Sequence, residues 1–128
     1  MKLKENNKAP NFKLTSTDGN IFELNKVNKK NVILYFYPKD DTPGCTKEAC
    51  SFRDEFAVFK SMDAVILGVS TDDAASHEKF RAKYELPFPL LVDDDKSVST
   101  EYGSWGEKVL YGKKMIGMTR STFIIGED

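Results

Sequence analysis

Cysteine and histidine are scarce in this chain: its 128 residues hold two of the first and one of the second. Two cysteines are too few for a disulfide-built scaffold, and with a lone histidine they fall short of a standard four-ligand zinc site. Net charge is scarce as well, −1 from 19 basic and 20 acidic residues. The two signs are interspersed, so no stretch marks out a surface for nucleic acid or membrane. No apolar run reaches bilayer-spanning length, and the start, MKLKENNKAP, lacks the apolar segment of a signal peptide. Repeats, low-complexity segments and a domain linker are missing too. What is present is 40% apolar residues, enough for one domain, 1–128, with a hydrophobic core. A cytoplasmic protein with a working thiol pair is the expectation.

Taken in order, residues 1–8 are polar. Phe12-Lys13-Leu14-Thr15 and Ile21-Phe22-Glu23-Leu24 alternate around Asp18-Gly19, which predicts an N-terminal β-hairpin. Residues 25–31 form a polar connector. Val32-Ile33-Leu34-Tyr35-Phe36-Tyr37 is a β-branched and aromatic run suited to a buried strand. Ala49, Phe52, Phe56 and Phe59 recur at helical spacing, which predicts one helix packed on a sheet. Residues 64–69 read as a second buried strand. Ser70-Thr71-Asp72-Asp73 supplies caps for a helix through about Tyr84, with Phe80 and Tyr84 inward. A short strand at 90–92, one or two helical turns at 97–102, strand and loop at 108–115 and a last strand at 121–125 complete the reading. Strands alternating with helices imply a mixed α/β sheet with right-handed crossovers.

Residues 32–50, VILYFYPKDDTPGCTKEAC, organise the rest. Pro38 ends the strand, and Pro38 and Pro43 shape the loop. Thr42 is able to cap a helix and Pro43 suits its first position. Cys45 then falls in the first helical turn, among free amides at the positive end of the helix dipole, where a thiolate is favoured. Cys50 comes five residues later. Two helical residues so spaced have Cα atoms ~8–9 Å apart on opposing sides, whereas a disulfide needs about 4.4–6.8 Å. The pair closes only if the first turns unwind. That geometry favours a bond made and broken in a cycle over a static bridge.

Pro38-x-x-x-Thr42-x-x-Cys45 resembles the active-site signature of the peroxiredoxins, and YPKDDTPGCTKEACSFRD, with its second cysteine, resembles their bacterioferritin-comigratory (Q-type) branch. Ala9-Pro10-x-Phe12-x-Leu14 and Thr119-Arg120-Ser121-Thr122-Phe123 extend the likeness over nearly the whole chain. The resemblance implies a thioredoxin-like fold with an N-terminal β-hairpin and a mixed central sheet flanked by helices. It also implies a thiol peroxidase acting on hydrogen peroxide and organic hydroperoxides, recycled by thioredoxin, with no metal, haem or flavin. Such a protein is expected to be a monomer or weak dimer. Family members continue past the last strand with a turn, a strand and a C-terminal helix, whereas this chain stops at Gly126-Glu127-Asp128. The expected fold therefore lacks those last pieces.

The resemblance also assigns roles. Cys45 is the peroxidatic nucleophile, Cys50 the resolving thiol, and the two form an intramolecular disulfide. Peroxide cleavage needs an aligned O–O bond and donors for the charge on the departing oxygen. Thr42 lies one turn before Cys45, though a capping role competes for its hydroxyl. Gly44 leaves the approach to the sulfur unblocked. Arg120 matches an arginine that reaches sulfur and peroxide, and Glu48 one that orients it. Read without the resemblance, Arg120 is a strand-end charge, Glu48 a surface helix residue and His77 part of a solvated face. Tyr102, Trp105 and Tyr111 are core residues or a hydrophobic rim. A disulfide oxidoreductase would prefer C-x-x-C. A non-enzymatic interaction module would explain the fold and leave Thr42, Cys45 and Arg120 unexplained.

Overall fold

A computed structural model of the chain describes residues 9–17, 19–26, 31–110 and 112–126. Strands β1 (Lys13–Ser16) and β2 (Ile21–Glu23) form the expected hairpin, with Gly19 left-handed in its turn (φ 88°). Asp18, residues 1–8, most of the polar connector and Tyr111 lie outside the described residues. There follow β3 (Asn31–Phe36), α1 (Pro43–Asp54), α2 (Phe56–Ser61), β4 (Ala64–Ser70), α3 (Ala74–Lys83), β5 (Leu90–Val92), α4 (Ser97–Glu101), β6 (Trp105–Leu110), β7 (Lys113–Met118) and β8 (Ser121–Ile125). Six strands make one mixed sheet in the order β2-β1-β5-β4-β3-β8. The β3–β4 and β4–β5 pairs are parallel, and β8 runs antiparallel to β3.

Strand β3 is a continuous apolar run because both of its faces are covered. Val32, Leu34 and Phe36 join one core with Phe12, Leu67, Leu91 and Tyr102. Ile33, Tyr35 and Tyr37 join a second with Cys45, Ala49, Ile66, Phe80 and Leu90. The period-two alternation of a strand sorts them. Gly68 stands opposite Tyr35 in the β3–β4 register. A Cβ there would come within 2.8 Å of the Tyr35 ring and of Leu90, so the glycine is what admits the tyrosine.

Two expectations are corrected. The single helix carrying Ala49, Phe52, Phe56 and Phe59 is divided at Glu55, which ends α1 and starts α2 (φ −100°, ψ 9°). The apolar stripe survives, since all four side chains meet the second core. The strand and loop expected at 108–115 are instead a two-stranded hairpin, β6–β7, turned at Gly112 (φ 78°). Val109 and Ile116 project into solvent there, 66% and 72% exposed. That inverts the pattern by which a strand is usually recognised.

Candidate active site

The chain leaves β3 through Tyr37 and Pro38 and turns into α1 over residues 39–42. Asp41 takes a left-handed backbone (φ 58°), uncommon for a residue with a side chain. Thr42 is extended at the N-cap position and Pro43 opens the helix. Gly44 and Cys45 follow in the first turn, whose amides have no partner within the helix. The capping expected of Thr42 is not made by its side chain. Its hydroxyl donates to the Lys39 carbonyl at 2.8 Å, which ties the loop to itself. The backbone still helps: the Thr46 amide donates to the Thr42 carbonyl at 2.8 Å.

Cys45 is 2% exposed, within the core beneath α1. Arg120 reaches it from the far end of the sequence. The β3–β8 register sets Ser121 opposite Phe36, so the residue just before β8 stands where the Cys45 loop departs. Arg120 Nη2 donates to Cys45 Sγ at 3.3 Å, and Nη1 donates to Glu48 Oε1 at 2.8 Å. Cys45, Glu48, Arg120 and Gly44 are thus brought together. A Cβ on Gly44 would lie 3.0 Å from Arg120 Nη2, so this glycine makes room for the guanidinium.

The charges are matched. Burial pulls Arg120 down, and its bonds to Cys45 and Glu48 more than offset that, which leaves the guanidinium above its ordinary value. Burial raises the Glu48 carboxyl, and Arg120 offsets part of the rise. The Arg120 side chain is 39% exposed, so the sulfur is covered by a group that a small solute can reach. A buried thiol faced by a planar cation and free amides suits attack on a small electrophile whose leaving group takes up negative charge.

Cys50 is half-buried, and both cysteines are free thiols. They lie within the continuous helix α1, so they are held apart as the spacing requires. His77 corrects the sequence reading: it is fully buried, not on a solvated face. Its Nδ1 lies 2.7 Å from Asp40 Oδ2 and its Nε2 2.7 Å from the Leu91 carbonyl oxygen. The signal was in the spacing, because His77 stands three residues before Phe80 and seven before Tyr84 on one helical stripe.

The AhpC/TSA family model matches residues 6–128. The chain is 47% identical over 128 residues to a putative peroxiredoxin bcp of Coxiella burnetii, covering 100% of this chain and 85% of that one. It is 44% identical over 128 residues to peroxiredoxin Bcp of Bacillus subtilis, covering 100% of this chain and 82% of that one. The bacterioferritin comigratory protein of Xanthomonas campestris, solved in connection with its alkyl peroxide reduction activity, superposes with a TM-score of 0.84 at 37% identity. The match covers 90% of this chain and 73% of that one. A peroxidoxin BcpB of Mycobacterium tuberculosis superposes with a TM-score of 0.82 at 35% identity, covering 94% and 77%.

Proposed function

The chain belongs to the AhpC/TSA family, and on that premise we propose a residue-by-residue cycle for its thiol peroxidase activity. The Cys45 thiolate attacks one oxygen of a hydroperoxide, the O–O bond breaks, and the other oxygen leaves as hydroxide or alkoxide. Cys45 becomes a sulfenic acid. Cys50 then attacks the Cys45 sulfur, water departs, and an intramolecular Cys45–Cys50 disulfide forms. An external dithiol returns both cysteines to thiols.

One observation carries the reading: a single guanidinium donates to the Cys45 sulfur at 3.3 Å while Glu48 holds its other arm at 2.8 Å. Arg120 can keep sulfur and peroxide in one plane and stabilise the departing oxygen. The Gly44 and Cys45 amides are further donors. Thr42 lends its hydroxyl oxygen, whose proton the Lys39 carbonyl already takes. Pro38 ends β3 where the loop must begin.

Helix α1 has to open for the disulfide step. The side chains buried by its first two turns are those of Cys45 and Ala49, so unwinding them exposes little apolar surface. Its far end stays tied, because Arg53 Nη1 donates to the Tyr84 carbonyl at 2.8 Å. The opening is therefore short, between two held ends.

The substrates are hydrogen peroxide and organic hydroperoxides, including alkyl peroxides such as the X. campestris neighbour reduces. Thioredoxin is the reductant, and no step calls for a metal, haem or flavin. We place this activity in the cytoplasm, on one domain, 1–128, as a monomer or weak dimer. Among the described residues no helix is long and apolar enough to cross a membrane.

Cys50→Ser tests the order of steps. It is expected to consume one equivalent of peroxide at the wild-type rate and leave a trappable sulfenic acid on Cys45. Steady consumption with thioredoxin should slow sharply. A Cys50→Ser protein that turned over like wild type would remove Cys50 from the cycle. Gly44→Ala tests the guanidinium's approach. Displacing it by a few tenths of an ångström should slow the first turnover roughly tenfold, given the cost of small misalignments. An unchanged rate would mean the Arg120–Cys45 distance does not matter.

A further inference from the structure

We propose that His77 is a positioning residue for peroxide cleavage: its buried ring bridges Asp40 and the Leu91 carbonyl and so holds the strained loop that sets Cys45 against Arg120. The proposal rests on the peroxidase reading of Cys45. The two partners in that reaction come from separate parts of the fold. Arg120 is carried by the chain at the start of β8, and its guanidinium reaches across to Glu48 and Cys45 of α1. Cys45 is carried by the loop of residues 38–42, and the anchoring of that loop sets where the start of α1 stands against the sheet.

The anchoring is dense and buried. Asp40 is 7% exposed. Its Oδ1 accepts from the Tyr37 hydroxyl at 2.5 Å, and its Oδ2 accepts from the Ser76 hydroxyl at 2.8 Å and meets His77 Nδ1 at 2.7 Å. The Tyr37 hydroxyl also lies 3.4 Å from His77 Nδ1. The Asp40 amide donates to Asp72 Oδ2 at 2.8 Å. His77 is the piece that spans the fold, since its Nε2 bonds the Leu91 carbonyl of β5 while its Nδ1 meets the loop.

Asp40, Asp72 and His77 bring ligand-type atoms within 4.8 Å of one another. Those facing atoms already have hydrogen-bond partners in the protein, so the cluster is a hub and not a set of waiting ligands. The next residue shows what the hub restrains. Asp41 is left-handed (φ 58°), a strained state that persists only where the surroundings over-determine it. Lys83 Nζ and the Tyr84 hydroxyl both donate to its carboxylate, at 2.8 and 2.7 Å. With the Asp40 anchor loosened, Asp41 can relax. Thr42, Pro43 and Cys45 then shift relative to the end of β8 that carries Arg120.

The test compares His77→Gln with wild type at a temperature where both are folded. Two rates are read for Cys45: oxidation by hydrogen peroxide, and alkylation by iodoacetamide. Peroxide cleavage needs the O–O bond aligned between sulfur and guanidinium, whereas alkylation needs only a reachable sulfur anion. Oxidation is expected to fall tenfold or more, the scale of a sub-ångström misplacement, and alkylation less than about threefold. Were the histidine purely stabilising, its replacement would lower the melting temperature and leave both rates of the folded protein unchanged. An oxidation rate within about twofold of wild type, or an equal fall in both rates, overturns the proposal.

Should His77→Gln fail to fold, Ser76→Ala removes one donor to Asp40 and keeps the histidine. It is expected to slow oxidation about fivefold, the worth of one ordinary intramolecular hydrogen bond. No change there overturns the proposal as well. Wild-type protein that leaves peroxide untouched is a different outcome, and overturns the peroxidase reading itself.

Discussion

Cys45→Ser is expected to abolish peroxide reduction, with a loss of ~10³-fold or more, since removing a catalytic nucleophile is among the largest single-site losses. A serine hydroxyl in that turn meets the same amides and the same guanidinium. It is far too weak an acid to supply the anion that attacks the peroxide. No other group can take over. Cys50 lies a turn and a half further along α1, where the amides are spent on the helix, and nothing places it against Arg120. The measurement is peroxide consumption with thioredoxin supplied, beside wild type. Turnover near wild type would remove Cys45 from the chemistry.

Arg120→Lys keeps the charge and is still expected to lose roughly 100- to 1000-fold in the first turnover, the cost of one well-placed transition-state donor. The guanidinium spans two partners at once, Glu48 at 2.8 Å and the Cys45 sulfur at 3.3 Å. A single ammonium can serve one of them. If Glu48 takes it, the sulfur and the departing oxygen lose their donor. If the sulfur takes it, the orientation set by Glu48 is gone and a partly buried carboxylate is left unpaired. Stopped-flow oxidation of Cys45 reads the effect directly. A rate within about twofold of wild type would return Arg120 to the role of a solvated charge at the end of a strand.

What could be read from the sequence divides by distance along the chain. The start of α1 was legible because all its determinants are local: Pro38 to end the strand, Pro43 for the first helical position, and Cys45 two residues later. Strands β3 and β4 were legible because a sheet covered on both faces leaves an unbroken apolar run. Arg120 was not legible from the residues alone. Its approach depends on β8 pairing with β3 in one register, and only the likeness to a family supplied it. Thr42 shows a local rule losing to a local competitor, since its hydroxyl bonds the Lys39 carbonyl rather than a helical amide. The division at Glu55 has no glycine or proline to announce it. The β6–β7 hairpin was hidden because Val109, Met115 and Ile116 face solvent. His77 was misread because a histidine among charges suggests water, although its spacing to Phe80 and Tyr84 put it on the buried stripe.

The cycle turns on a disulfide between two cysteines that one intact helix holds apart. Reduced protein is given one equivalent of hydrogen peroxide, quenched by alkylation without reductant, and mapped by mass spectrometry. The cycle predicts one linked peptide pair joining Cys45 to Cys50 within a single chain, with two hydrogen atoms lost and both thiols restored by a dithiol. Two alkylated cysteines after the peroxide is gone, or Cys45 linked to a second chain with Cys50 still free, would contradict it.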